Sequence, residues 1–233
     1  MSTCKMYING DYLKKHPTWD VEDSPWKAKQ IINILKRNNI MPTTICEIGC
    51  GVGEILNQLQ RNMATECTFW GYEVSPQAFE LCQKRANDRL HFELKDISQD
   101  KKVFFDLILV VDVLEHLEDY FSFLRETKQK SQYKIFHIPL DLSIQSVFRG
   151  SGIMELRKKM GHLHYFTKEI ILEILKDTKY EILDYCYTAT SIKLPVRSIK
   201  NYLARPPRKI FFTIHEDWTV RIMGGYELLI LTK

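Results

Sequence analysis

Four short stretches gather residue types that could bind a small molecule and move a proton. Residues 46–54 read CEIGCGVGE, with Gly49, Gly51 and Gly53 following Glu47. Glycines at that spacing let a chain turn sharply and let a ligand approach the backbone. A dinucleotide fingerprint would place a third glycine three residues after Gly51, but Glu54 stands there. A carboxylate at a helix start repels a pyrophosphate, so the loop suits a ligand without phosphates. Residues 71–76, GYEVSP, place Glu73 20 residues beyond Gly53. An acid there could accept both hydroxyls of a ribose, or simply cap the helix opened by Pro76. Residues 94–98, LKDIS, offer Asp96 to an exocyclic amine of adenine and Ile97 to its ring, although aspartate in a loop is also a common turn former. Residues 110–119, VVDVLEHLED, cluster Asp112, Glu115 and His116. Asp112 or Glu115 could balance a cationic ligand, and His116 could serve as a base near neutral pH. A helix-capping cluster is the plainer alternative, best suited to Glu115 and Asp119.

These stretches need a scaffold that brings them to one place, and the pattern around them supplies one. Strands are expected at 44–48, 68–74, 90–94, 107–111, 133–138, 180–187 and 226–232. Helices are expected from Ser24 to Asn38, over 54–62, from Pro76, over 118–130, and from a Thr167 cap. The run 107–111 is apolar throughout, as in a central strand covered on both faces, with Asp106 just ahead of it. Alternating strands and helices imply an α/β fold around a mostly parallel sheet, whose ligands sit beyond the carboxyl ends of the strands.

In this order the four loops resemble class I S-adenosylmethionine (SAM)-dependent methyltransferases. EIGCGVGE is similar to that family's glycine motif, Glu73 to its ribose-binding acid, Asp96 to its adenine-contacting acid, and DVLEHL to a signature after strand four. The resemblance covers roughly residues 25–185 and is nearest to small-molecule enzymes such as ubiquinone-biosynthesis O-methyltransferases. It implies a Rossmann-like seven-stranded sheet with an antiparallel last strand, the segment GGYELLILTK, and helices on both faces. It also implies SAM as cofactor, with Glu47 and the three glycines on the methionine portion, Glu73 on the ribose, Asp96 and Ile97 on the adenine, and Asp112 alongside.

The acceptor side is less fixed. His116 is the first candidate base and His164 the second. His162 and His164 would face the same way if the stretch 161–167 is extended, and only one would reach the pocket if it turns. A metal site joining His116, Glu115 and one of these histidines is an alternative, but the spacing does not fix the set and the preferred reading has no metal. Tyr7, Tyr12 and Trp19 belong to an N-terminal segment, 1–22, that is either a lid offering aromatic faces to a sulfonium or a strap on the sheet. Residues 188–222 form an insertion whose stretch 193–209 is rich in lysine and arginine and interleaved with apolar residues. It could receive an anionic or lipid-linked acceptor, or be a solvated excursion. Pro195, Pro206 and Pro207 should break any long helix in it.

Composition sets the outer bounds. The chain has 233 residues with a net charge of +4, enough for a single domain and too mildly basic to expect nucleic acid as partner. Six cysteines without a CxxC pair suggest a reducing compartment. With no secretory leader and no run long enough to span a membrane, a cytoplasmic enzyme acting on a small molecule, at oxygen rather than nitrogen, is expected. A protein or RNA methyltransferase and a SAM-binding partner without activity are the alternatives. Oligomeric state stays open.

Overall fold

The computed structural model describes residues 3–16, 18–19, 21–193 and 199–233. Seven strands run in chain order as β1 (Thr44–Ile48), β2 (Thr68–Glu73), β3 (Leu90–Leu94), β4 (Phe105–Val111), β5 (Ser131–Pro139), β6 (Ile182–Thr188) and β7 (Glu227–Thr232). They form one sheet in the order β3-β2-β1-β4-β5-β7-β6. Only β7 is antiparallel, to β5 on one side and β6 on the other. Each expected strand is present within about two residues of its expected bounds.

Alternation along the strands explains why both faces are covered. Leu107, Leu109 and Val111 of β4 join one buried cluster, while Ile108 and Val110 join the other. The first cluster is closed by helices α3 (Ser24–Arg37), α4 (Glu54–Asn62) and α5 (Pro76–Cys82) through Ala28, Ile31, Leu35, Leu56, Leu59 and Cys82. The opposite face is closed by α6 (Tyr120–Lys128) and α9 (Lys168–Asp177), through Leu124, Ile171 and Leu175. Thr167 caps α9 by accepting from the Ile170 N–H, and Asp119 caps α6 by accepting from Ser122.

The remaining helices lie outside this repeat. Short helices α1 (Thr3–Ile8) and α2 (Asp11–Lys15) precede α3, where the sequence shows no clear period. Helices α7 (Ile144–Arg149) and α8 (Ser151–Lys159) follow β5. The insertion carries α10 (Thr190–Lys193), α11 (Ile199–Ile214) and α12 (Glu216–Met223). Pro206 and Pro207 lie inside α11, contrary to the expectation that they end it. Each lacks the N–H that would join the ladder, yet the helical backbone runs through both. Leu194, Pro195, Val196 and Arg197 of the basic stretch lie outside the described residues. No helix among the described residues is long and apolar enough to cross a membrane.

Candidate active site

The carboxyl ends of β1, β2 and β4 open into a cavity of about 580 Å³ at the point where strand order reverses. Glu47 and Gly49 reach it from β1, Glu73 from β2, Asp112 from the end of β4, and Glu227 from the start of β7. Glu115, His116 and His162 also line it, as do Tyr7, Tyr12 and Trp19.

The glycine loop is built for close approach. Gly51 has φ +54°, and a Cβ there would meet Trp19 Nε1 at 2.6 Å. The N-terminal segment therefore packs directly on the loop, and only glycine leaves room for it. Glu73 fixes the loop from below. Its Oε2 accepts from the Gly51 N–H at 2.7 Å, and its Oε1 from Val74 and Ser75 at 2.8 and 2.7 Å. Three of its roughly four acceptor positions are thus already used. Burial still holds it above the usual carboxylate range, with these three N–H groups working the other way.

Glu47 is different. It is 2% exposed and its Oε2 has no hydrogen-bond partner. Burial pushes its pKa well above the carboxylate range, Glu73 and Asp112 add to the push, and Lys27 opposes it. An unpaired buried carboxylate oxygen costs free energy unless a cation or donor meets it.

Asp112 anchors a charged chain across the sheet. Its φ of +53° is unusual for a side chain other than glycine, a strain that concentrates at functional sites. One carboxylate oxygen pairs with Lys27 from α3. The other accepts from His137 Nδ1 of β5 at 2.8 Å, and His137 Nε2 reaches Glu227 Oε2 and Thr188 Oγ1, each at 3.0 Å. Burial disfavours the imidazolium, but carboxylates on both sides more than offset it and raise His137 to about 9. Burial likewise works against Asp112 as an anion, yet Lys27 and His137 hold it well below the carboxylate range. Lys27, His137 and Glu227 carry no signal in the sequence, because each is unremarkable in its own segment.

The expected site residues divide as follows. Glu47, Gly49, Gly51, Glu73, Asp112 and His116 meet at the cavity. Gly53 lies just behind it, where a Cβ would strike Phe92 at 2.5 Å, so its place is helix–strand packing. Asp96 and Ile97 do not line the cavity. Asp96 is exposed and accepts from the Ser98 N–H at 2.8 Å, and Ile97 is buried in the core. His164 also stands apart, its Nε2 donating to the Leu117 carbonyl at 2.8 Å. His162 takes the place at the cavity instead. The N–H groups of Leu163 and His164 both point at the Glu115 carbonyl, at 2.7 and 3.1 Å, so the segment turns there and the two histidines part. Burial and the neighbouring His162 push His116 down to about 4, leaving it neutral at physiological pH.

The lining carries eight carboxyl groups (Asp23, Glu47, Glu54, Glu73, Asp112, Glu115, Glu118 and Glu227) against one lysine, and burial holds two of them, Glu47 and Glu115, toward the neutral form. Such a cavity attracts cations and repels phosphates. None of the described residues of the basic stretch 193–209 lines it, so that stretch does not prepare the cavity for an anion.

A family model described as a methyltransferase domain matches residues 46–130. Norajmaline N-methyltransferase of Rauvolfia serpentina is 27% identical over 107 residues, 43% of this chain and 36% of that protein. The chain thus spans about a third of that relative's length. Magnesium protoporphyrin IX methyltransferase from Synechocystis PCC 6803, solved with S-adenosylhomocysteine (SAH), superposes with a TM-score of 0.60 at 15% identity over 89% of this chain and 82% of that one. The N-methyltransferase NodS from Bradyrhizobium japonicum WM9, also solved with SAH, gives 0.56 at 18% identity over 88% and 84%. Residues 46–130 therefore match a methyltransferase domain, and the chain shares its fold with these two SAH-bound methyltransferases.

Proposed function

We propose that this chain transfers a methyl group from SAM to a hydroxyl oxygen of a small molecule. The observation that carries the reading is Glu47, a buried carboxylate with an unpaired oxygen, in an acidic cavity walled by the glycine loop. A ligand with an ammonium and a sulfonium and no phosphate answers both features. When bound, SAM supplies an electrophilic methyl group that the acceptor displaces in line. The chain's own part is to hold, align and dry the two reactants.

Glu47 would receive the ammonium, and Gly49 and Gly51 would let the methionine portion lie against the backbone. Glu73 has about one acceptor position left for a ribose hydroxyl, fewer than the two-hydroxyl contact expected from sequence. Val74 beside it lines the cavity and offers an apolar face to the adenine, while a contact from Asp96 and Ile97 would need their turn to move inward. Tyr7, Tyr12 and Trp19 would close over the cofactor as a lid. The acceptor belongs beside His116 and His162, and the acidic lining favours a neutral or cationic molecule over an anionic one. The likeness to an N-methyltransferase supports a second reading, an amine acceptor, which the same lining suits.

Calorimetric titration with SAH tests the cofactor. Wild type should bind in the micromolar range, and Glu47→Gln at least tenfold more weakly, a loss of about 1.4 kcal/mol. No binding by wild type, or preference for a nicotinamide dinucleotide, would refute the reading. Mass analysis of product from matched phenol and amine acceptors separates oxygen from nitrogen.

A further inference from the structure

Glu115, His116 and His162 meet in the cavity wall with their donor atoms within 4.8 Å of one another. Hydrogen bonding around them is lopsided. Both carboxylate oxygens of Glu115, a side chain 1% exposed, lack any partner. His162 Nδ1 lies 2.7 Å from Asp141 Oδ2, and His116 Nδ1 lies 3.2 Å from the Gly161 carbonyl oxygen. Those oxygens can only accept, so each Nδ1 carries the proton and each Nε2 presents a lone pair. His116 Nε2 stands 3.7 Å from Glu115 Oε1. Acceptors therefore converge from three side chains. The Tyr7 hydroxyl, 3.3 Å from His116 Nε2, can serve that nitrogen but leaves both Glu115 oxygens unmet, whereas one cation satisfies all three side chains together.

We propose that Glu115, His116 and His162 bind a divalent transition-metal ion, with Asp141 orienting the His162 ring. Two imidazoles and one carboxylate suit zinc, iron, cobalt or nickel better than magnesium, which prefers an all-oxygen shell. An ion about 2.1 Å from each donor would set the donors about 3.4 Å apart, so the side chains need to close in by about 1 Å. The frame for this is already tied, because the Glu115 carbonyl accepts from Leu163 and His164. The histidine–carboxylate contact to Asp141 is the arrangement that fixes metal-binding imidazoles. Three protein ligands leave a coordination position facing the cavity.

That position fits an acceptor hydroxyl, a role that rests on the methyl transfer proposed above, whereas ion binding does not. A hydroxyl on the ion gives up its proton to water more readily. Its oxygen lone pair then forms the new C–O bond while the S–CH3 bond breaks and its electron pair stays on sulfur, leaving SAH. His116 acts there as a ligand rather than as the base.

The test is titration of the chelator-stripped full chain with Zn²⁺ by calorimetry and with Co²⁺ by visible absorption. An SAH titration of the metal-free wild type runs beside it. One ion per chain at micromolar affinity or tighter is expected. Glu115→Gln and His162→Gln should each bind at least tenfold more weakly, with a smaller loss in Asp141→Asn. The wild-type Co²⁺ spectrum should show the intense bands of four or five ligands, which decides the matter even where a variant fails to fold. No stoichiometric binding by wild type, a pale six-water spectrum, or unchanged affinity in Glu115→Gln overturns the proposal and leaves a proton on Glu115 as the occupant. SAH binding without metal binding refutes the ion alone. Metal binding without SAH binding refutes the methyltransferase reading alone.

Discussion

His137 offers a quantitative check on the buried network. It is 2% exposed and held between Asp112 and Glu227, which raise its pKa to about 9 from an ordinary 6.5. A raised folded-state pKa gives stability that is fully present below 6.5 and lost as pH climbs through 9. Over that window the folded chain carries one proton more than the unfolded chain at this site, so stability falls by about 1.4 kcal/mol per pH unit, roughly 3 kcal/mol in all. Other groups titrate nearby. Buried Glu47 and Glu115, both held well above the carboxylate range, also favour the folded chain at lower pH, and buried Lys134, lowered to about 8, acts in the opposite direction above that value. The informative quantity is therefore the difference between wild type and His137→Gln in urea unfolding, measured from pH 6.5 to 8. The variant should be less stable at pH 6.5, and the gap should narrow by about 2 kcal/mol by pH 8. A gap that stays constant across this range would mean that His137 carries no charge between its two carboxylates.

Two further outcomes follow from the same geometry. Asp112→Asn keeps a side chain that tolerates φ +53° but leaves Lys27 and His137 without their shared anion, so urea unfolding should show a loss of about 3–5 kcal/mol. Gly51→Ala places a methyl group 2.6 Å from Trp19 Nε1 in a left-handed conformation, and should cost about 1–3 kcal/mol in thermal melting while shifting tryptophan fluorescence as Trp19 is displaced.

Much of the scaffold was legible because strand and helix periods are local properties. The apolar run of β4, the Thr167 cap and the glycine turn after β1 each carry their own signal. The residues that lie at strand ends, Glu47, Glu73 and Asp112, followed from that scaffold. The site became illegible where a side chain's direction depends on a turn the sequence does not announce. His164 and His162 differ by two positions, yet the Glu115 carbonyl gathers both following amides and sends only His162 into the cavity. Asp96 satisfies its own turn instead of facing a ligand. Lys27 and Glu227 lie some 200 residues apart and show their relation only once α3 and β7 flank the same strands. The prolines of α11 show the opposite error, a strong local signal overridden by the structure around it.

The place of β7 in the sheet bears on the order in which the molecule can assemble. β7 is the last strand in sequence, yet it lies between β5 and β6, and Ile135 pairs with Leu231 almost a hundred residues later. Strand β6 has no other partner in the sheet. During synthesis β5 therefore presents an open edge and β6 waits unpaired until β7 emerges. Pairings so distant in sequence form slowly and leave edges exposed to wrong partners in the meantime. The same strand brings Glu227 to His137. The half-made chain thus holds His137 with one carboxylate instead of two, and the closing of the sheet and the completion of its buried charges are a single late event.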